Sequence, residues 1–141
     1  MFMKFRDYFS LKHIVIAVVI LAVFVLFAVI DSDGQVKVYF EENTVSAVSD
    51  HYVLEIPYSQ IASAELILMA EAGREVENCV DDKIVRTGCW ENDDWGEYFI
   101  CADMDADNCI VIHLKDGRVF VFSRKNNAET EKLYHTLQTY L

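Results

Sequence analysis

The sequence predicts a mainly β domain closed by a C-terminal amphipathic helix and carried behind one N-terminal transmembrane helix. Three observations predict it. The run from Ile14 to Ile30, IVIAVVILAVFVLFAVI, holds no charge, no polar side chain, no Gly and no Pro. After Asp31 come short stretches in which apolar and polar residues alternate with period 2, two of them flanking Asp116-Gly117. Residues 127–141 carry an apolar stripe at helical spacing.

Seventeen apolar residues make about 25 Å of helix, close to a hydrocarbon core of about 30 Å, and Phe9 and Leu11 extend the run. Tyr8 and Phe9 on one side and Asp31 and Asp33 on the other give it the boundaries of a single span. A cleaved signal peptide fits less well, because the apolar region is long and Phe27-Ala28-Val29-Ile30 offers no small-x-small cleavage site. Lys4, Arg6 and Lys12 against Asp7 place the N-terminus in the cytoplasm. The expected organisation is a basic cytoplasmic tail (1–12), a bilayer anchor (13–31) and an extracytoplasmic domain (32–141) of a single-pass cell-membrane protein. Nine Lys and Arg against 22 Asp and Glu after the run give −13 of a total −11. Such acidity disfavours nucleic acid and anionic headgroups as ligands.

Val36, Val38 and Phe40 alternate with Lys37 and Tyr39, predicting a first strand, with a second over Thr44 to Val48. Ser49-Asp50 turns the chain into a third, His51 to Ile56, which Pro57 stops because it has no N–H to give a ladder. The stretch Ile61 to Met69 suits helix or strand; a turn at Tyr58 to Gln60 and a strand from about Ala64 are expected. Glu71 to Asp82 reads as polar loop. Strands are expected over Lys83 to Trp90 and Gly96 to Cys101, around the acidic loop Glu91 to Asp94. Asn108 to Lys115 and Arg118 to Ser123 flank Asp116-Gly117, the signature of a type I′ hairpin. Asn127 is the expected cap of the closing helix, with Glu129 and Glu131 in its first turn and Leu133, Tyr134, Leu137, Tyr140 and Leu141 on its apolar stripe.

Four sets of residues are candidates for chemistry. Cys79, Cys89, Cys101 and Cys109 are an even number in a segment expected to face outward, compatible with two disulfides; of three pairings, Cys79 with Cys89 and Cys101 with Cys109 would staple two loops. Their spacing matches no common zinc pattern. Asp103, Asp105 and Asp107 begin like a calcium loop, but Asn108 stands where Gly belongs and Leu114 where a bidentate Glu is required, so a solvated acidic tip is the alternative. Trp90, Trp95, Tyr98 and Phe99 surround an acidic loop, either as core or as a partner surface. His13, His51, His113 and His135 stand at no metal or triad spacing, and no nucleophile elbow, phosphate loop or dinucleotide fingerprint occurs.

About seven antiparallel strands followed by an amphipathic helix is the layout of a bent sheet or barrel plugged at one end. IPYSQIASAEL (Ile56 to Leu66), RTGCWENDDWGEYFI (Arg86 to Ile100), IVIHLKDGRVFVFS (Ile110 to Ser123) and ETEKLYHTLQ (Glu129 to Gln138) resemble the membrane-anchored bacterial PH-like (pleckstrin-homology-like) domains. That resemblance implies a PH-like fold without catalytic residues or cofactors, while the acidity argues against phosphoinositide binding. The function it implies is non-enzymatic protein interaction or envelope sensing, with a protein partner that the sequence does not identify. A calcium-modulated or disulfide-stabilised accessory subunit of a membrane complex is the second reading. A minor pilin-like subunit is the third, disfavoured because no Gly or Ala site followed by Phe and a Glu five residues on precedes the run.

Overall fold

The computed structural model describes residues 13–23, 36–50 and 52–141, and the chain forms two units, Met1–Asp33 and Gly34–Leu141. In the first unit, residues 13–23 are helical (α1), and their apolar side chains from Ile14 to Val23 are exposed. The described part of this helix, 11 residues at 1.5 Å each, is about 16 Å long. Among the described residues no helix is long and apolar enough to cross a membrane. This corrects the single-pass anchor, its topology and the cell-membrane localisation expected from Ile14 to Ile30; the tail and residues 24–31 lie outside the described residues.

The second unit is built from β1 (Lys37–Phe40), β2 (Thr44–Val48), β3 (Val53–Pro57), a 3-10 turn (Tyr58–Gln60), β4 (Ile61–Leu68), β5 (Arg74–Asp81), β6 (Val85–Asn92), β7 (Gly96–Asp103), β8 (Asn108–Leu114), β9 (Val119–Phe122) and helix α2 (Asn127–Gln138). Among the described residues nine strands, not about seven, form two sheets of order β1-β2-β3 and β4-β8-β9-β7-β6-β5. The expected all-antiparallel PH-like barrel is corrected in a second respect: β7 and β9 pair in parallel, Phe99 opposite Phe120 and Cys101 opposite Phe122.

The central strands of the larger sheet are buried on both faces. On one, Ile110, Ile112, Leu114, Phe120, Phe122 and Cys101 meet Val45, Ala47, Leu54 and Ile56 of the smaller sheet and Leu137 of α2. On the other, Trp90, Tyr98, Ile100, Cys109, Val111, Val119 and Val121 form a second core against which Ile67, Met69 and Ala72 pack. The sequence left open which face of the β8–β9 hairpin is core because both are; β9 (VFVF) is buried at every position.

The segment from Met69 to Gly73 joins the sheet's two edge strands, β4 and β5, which run in the same direction. Six steps of extended chain reach about 20–22 Å, whereas five strand spacings in a flat sheet need about 24 Å before any return along the strands. The sheet therefore has to coil. The segment crosses its second face, where the Tyr98 hydroxyl donates to Ala72 O at 2.7 Å and Asn92 Nδ2 to Glu71 O at 3.0 Å.

Three local readings change. Glu71 to Asp82 contains strand β5 rather than a loop: its side chains are mostly exposed, which hides the alternation, and register shifts at Glu75/Glu77 and Glu77/Val80 break it further. The Asp116-Gly117 connection is not type I′, since Gly117 has φ 94° while Asp116 is not in the positive region. Gly117 N donates to Leu114 O and Leu114 N to Arg118 O, a type I turn followed by a left-handed Gly. Asn126, not Asn127, caps α2, accepting from Glu129 N at 2.8 Å; Asn127 Oδ1 instead accepts from Asp107 N and Asn108 N, tying the helix start to β8.

Gly88 lies where the β5 bulge presses on β6. At φ +104° its Cβ would sit 2.5 Å from the Asn78 carbonyl oxygen, backbone that cannot rotate away. Gly88→Ala is expected to cost about 3 kcal/mol or more in urea unfolding, from overpacking and strain together. Gly117→Ala, with open space around its Cβ, is expected to cost about 1 kcal/mol from strain alone. Equal losses would show that the contact at Gly88 is not what fixes the glycine.

Candidate binding surface

The larger sheet ends in two unlike edges. β5 is bulged, carries Asn78 at φ 55° and presents Glu75, Glu77 and Asp81, which discourages another strand from pairing with it. In the smaller sheet, the edge strands β1 and β3 are only four and five residues long, and β3 ends in Pro57. β4 is far less guarded. It runs eight residues as IASAELIL with a single charge, and its only irregularity lies between Ile61 and Ser63.

The hydrogen-bond register shows which groups β4 offers. Met69 N donates to Asp107 O at 2.8 Å, continuing the β4–β8 pairing, so Ser63, Glu65 and Ile67 bond towards β8. Ala64, Leu66 and Leu68 consequently aim their N–H and C=O groups away from the sheet. α2 packs alongside β4, and its Tyr134 hydroxyl donates to Ala64 O in this row at 3.4 Å. Ala64 and Leu66 pack partly into the first core, whereas Leu68 is 76% exposed.

The sequence-derived candidates fall elsewhere. Trp90 and Tyr98 are core residues rather than a partner surface: Trp90 Nε1 donates to Thr87 O at 2.9 Å, Arg86 lies over the Trp90 ring, and burial pushes the Tyr98 hydroxyl up to about 12. Trp95 is half-buried and packs edge-on against Tyr98, with ring centroids 5.0 Å apart.

All four cysteines are free thiols, which corrects the disulfide expectation. Each loop-stapling pair would straddle the sheet. Cys101 belongs to the first core and Cys109 to the second, with β9 between their strands. Cys79 packs on the second core, while Cys89 alternates with Trp90 and so points to the opposite face, receiving at its carbonyl the Cys79 Sγ–H at 2.9 Å. Burial pushes the Cys101 and Cys109 thiols up to about 12 and raises that of Cys89. These are packing groups, poorly suited to nucleophilic or redox work.

The acidic tip does not assemble a calcium loop. Asp103 is 3% exposed and turned inward, its Oδ2 accepting from Val36 N at 3.3 Å, while Arg124 Nη1 donates to Val36 O and Ser123 Oγ to Asp103 O. Asp105 and Asp107 point to solvent. Among the described residues no group of three or more His, Cys, Asp or Glu comes together to hold a metal. His113 and His135 lie beside Glu65 and Glu131 at 3.9 and 3.7 Å, and His51 lies outside the described residues.

Comparison with protein-family models, curated proteins and solved structures found no match.

Two outcomes follow. The raised thiol values favour the protonated form in the folded state, so that contribution is complete below the unfolded value of 9.0 and is lost as pH rises towards about 12. Urea midpoints are expected to fall between about pH 8 and about pH 10.5, and Cys101→Val with Cys109→Val to flatten the fall, leaving smaller parts from Cys89, Tyr52 and Tyr98. Because Asp103 is committed to Val36, millimolar calcium is expected to leave Tm unchanged; a rise abolished by Asp105→Ala would show a calcium site.

Proposed function

We propose that this chain is a non-catalytic protein-interaction domain that docks an extended segment of its partner on the free edge of β4. The observation that carries this reading is the outward backbone row of Ala64, Leu66 and Leu68, apolar and unbroken in register where the other sheet edges are short, bulged, charged or stopped by proline. An unpaired row of this kind is a template for a further strand, whose main-chain bonds supply affinity while alternate side chains supply specificity. Cys101 and Cys109 are taken up in packing the two cores, so this reading assigns them no role at the surface.

Photocrosslinking in the cells the protein comes from tests this reading, with benzoylphenylalanine placed at Leu68 or, as control, at the half-exposed Tyr39 of β1. A discrete protein adduct is expected from position 68 and not from position 39. Equal labelling at the two positions would overturn the assignment of β4 as the docking edge.

A further inference from the structure

We infer that the segment docked on β4 is a cationic strand, with Lys or Arg on the face it shares with Glu65 and apolar residues on the face it shares with Leu66 and Leu68. This rests on the docking reading above and adds the chemistry of the partner. A strand bonded to Ala64, Leu66 and Leu68 continues the pleat, so one of its faces lies beside Ser63, Glu65 and Ile67 and the other beside Leu66, Leu68 and the flank of α2.

The charge carried on β4 itself is negative, and further carboxylates flank the edge. The Glu65 side chain is 59% exposed on β4 itself, Asp107 is exposed where the register runs on past Leu68, and Glu131, 60% exposed, stands one turn before Tyr134 on α2. The cationic or titratable groups in this region are His113, His135, Lys132 and, beyond the start of β4, Lys115, whose N–H donates to Gln60 O. β4 itself carries no Lys or Arg. Residues 36–141 hold nine Lys and Arg against 20 Asp and Glu, so two copies of this domain repel each other and a cationic segment is drawn in. A second copy pairing β4 with β4 is thereby the weaker occupant. The apolar requirement comes from Leu68, which a strand lying alongside would cover.

Titration of the full chain by calorimetry with a ten-residue peptide alternating valine with lysine and threonine tests this. Three comparison peptides carry glutamate for lysine, the same residues in scrambled order, or N-methyl groups on alternate residues of one edge. The lysine peptide is expected to bind, more weakly as salt is raised. The glutamate peptide is expected to bind at least about tenfold more weakly, and Glu65→Lys to shrink that gap several-fold. Scrambling and N-methylation are each expected to remove most of the affinity. Leu68→Pro deletes an outward N–H and no β4–β8 bond, so it is expected to lose the peptide while keeping Tm; the N-methylated peptide poses the same question with the protein unaltered. Equal binding of the lysine and glutamate peptides, both lost in Leu68→Pro, would overturn the cationic partner while leaving the docking edge standing. Lysine-peptide binding indifferent to scrambling, N-methylation and Leu68→Pro would overturn docking at the edge itself. A dimer in sedimentation that Leu68→Pro dissolves would overturn the peptide partner in favour of a second copy.

Discussion

The crossing from Met69 to Gly73 is the constraint on which the rest of the domain depends. It joins two edge strands that a flat sheet would hold farther apart than its own reach, so the sheet is coiled by connectivity as well as by the right-handed twist of its strands. Coiling brings the second face of the sheet under the crossing chain, where Met69 and Ala72 pack over Trp90, Tyr98, Val111 and Val121. The Tyr98 hydroxyl then bonds a carbonyl of the segment that covers it, which satisfies a buried polar group on each side. The first face is left to the smaller sheet and α2. The central strands are thus sandwiched, as their unbroken apolar runs require.

That arrangement also decides what the remaining side chains can do. A sheet buried on both faces absorbs its aromatics and thiols into packing, so Trp90, Cys101 and Cys109 serve the cores. Asp103, at the rim, is used to hold the strand entrance at Val36 together with Arg124. The crossing keeps the chain on the second face and does not run along the outside of β4, so among the described residues no strand pairs with that edge, and only the Tyr134 hydroxyl is seen to bond its backbone, at Ala64 O.

Much of this was legible where physics is local. The alternation of β1 to β3, the apolar runs of β8 and β9, the turn at Gly117 and the stripe of α2 are all written in neighbouring residues, and the structure places elements there. What was not legible depends on partners distant in sequence. β5 has no alternation because it is an exposed, bulged edge whose pairing with β6 is a main-chain matter. The parallel β7–β9 contact and the opposed faces of Cys101 and Cys109 follow from strand order, which no spacing encodes. The run from Ile14 read as a span because its composition is uniform, whereas among the described residues no helix is long and apolar enough to cross a membrane. The candidate surface was hidden for a related reason. Ile61 to Met69 suits helix and strand alike, and nothing local marks β4 as an outermost strand.

Edge position and charge together explain why β4 can be left open in a chain this apolar. An unguarded strand edge normally invites a second copy of itself, and proteins suppress that with lysines, prolines, bulges or shortness placed on the strand. β4 has only the irregularity between Ile61 and Ser63 at its start, but the domain around it has 20 carboxylates to nine cationic side chains, so approach of a like-charged copy is opposed at a distance before any backbone bond can form. The protection is therefore global and sign-dependent, where that of β5 is local and indiscriminate. A guard of this type admits a partner of opposite charge through the same edge. It also makes selectivity depend on ionic strength: as salt shortens the reach of the field, the distinction between a cationic strand and a second copy narrows to what Glu65 and its neighbours impose at contact.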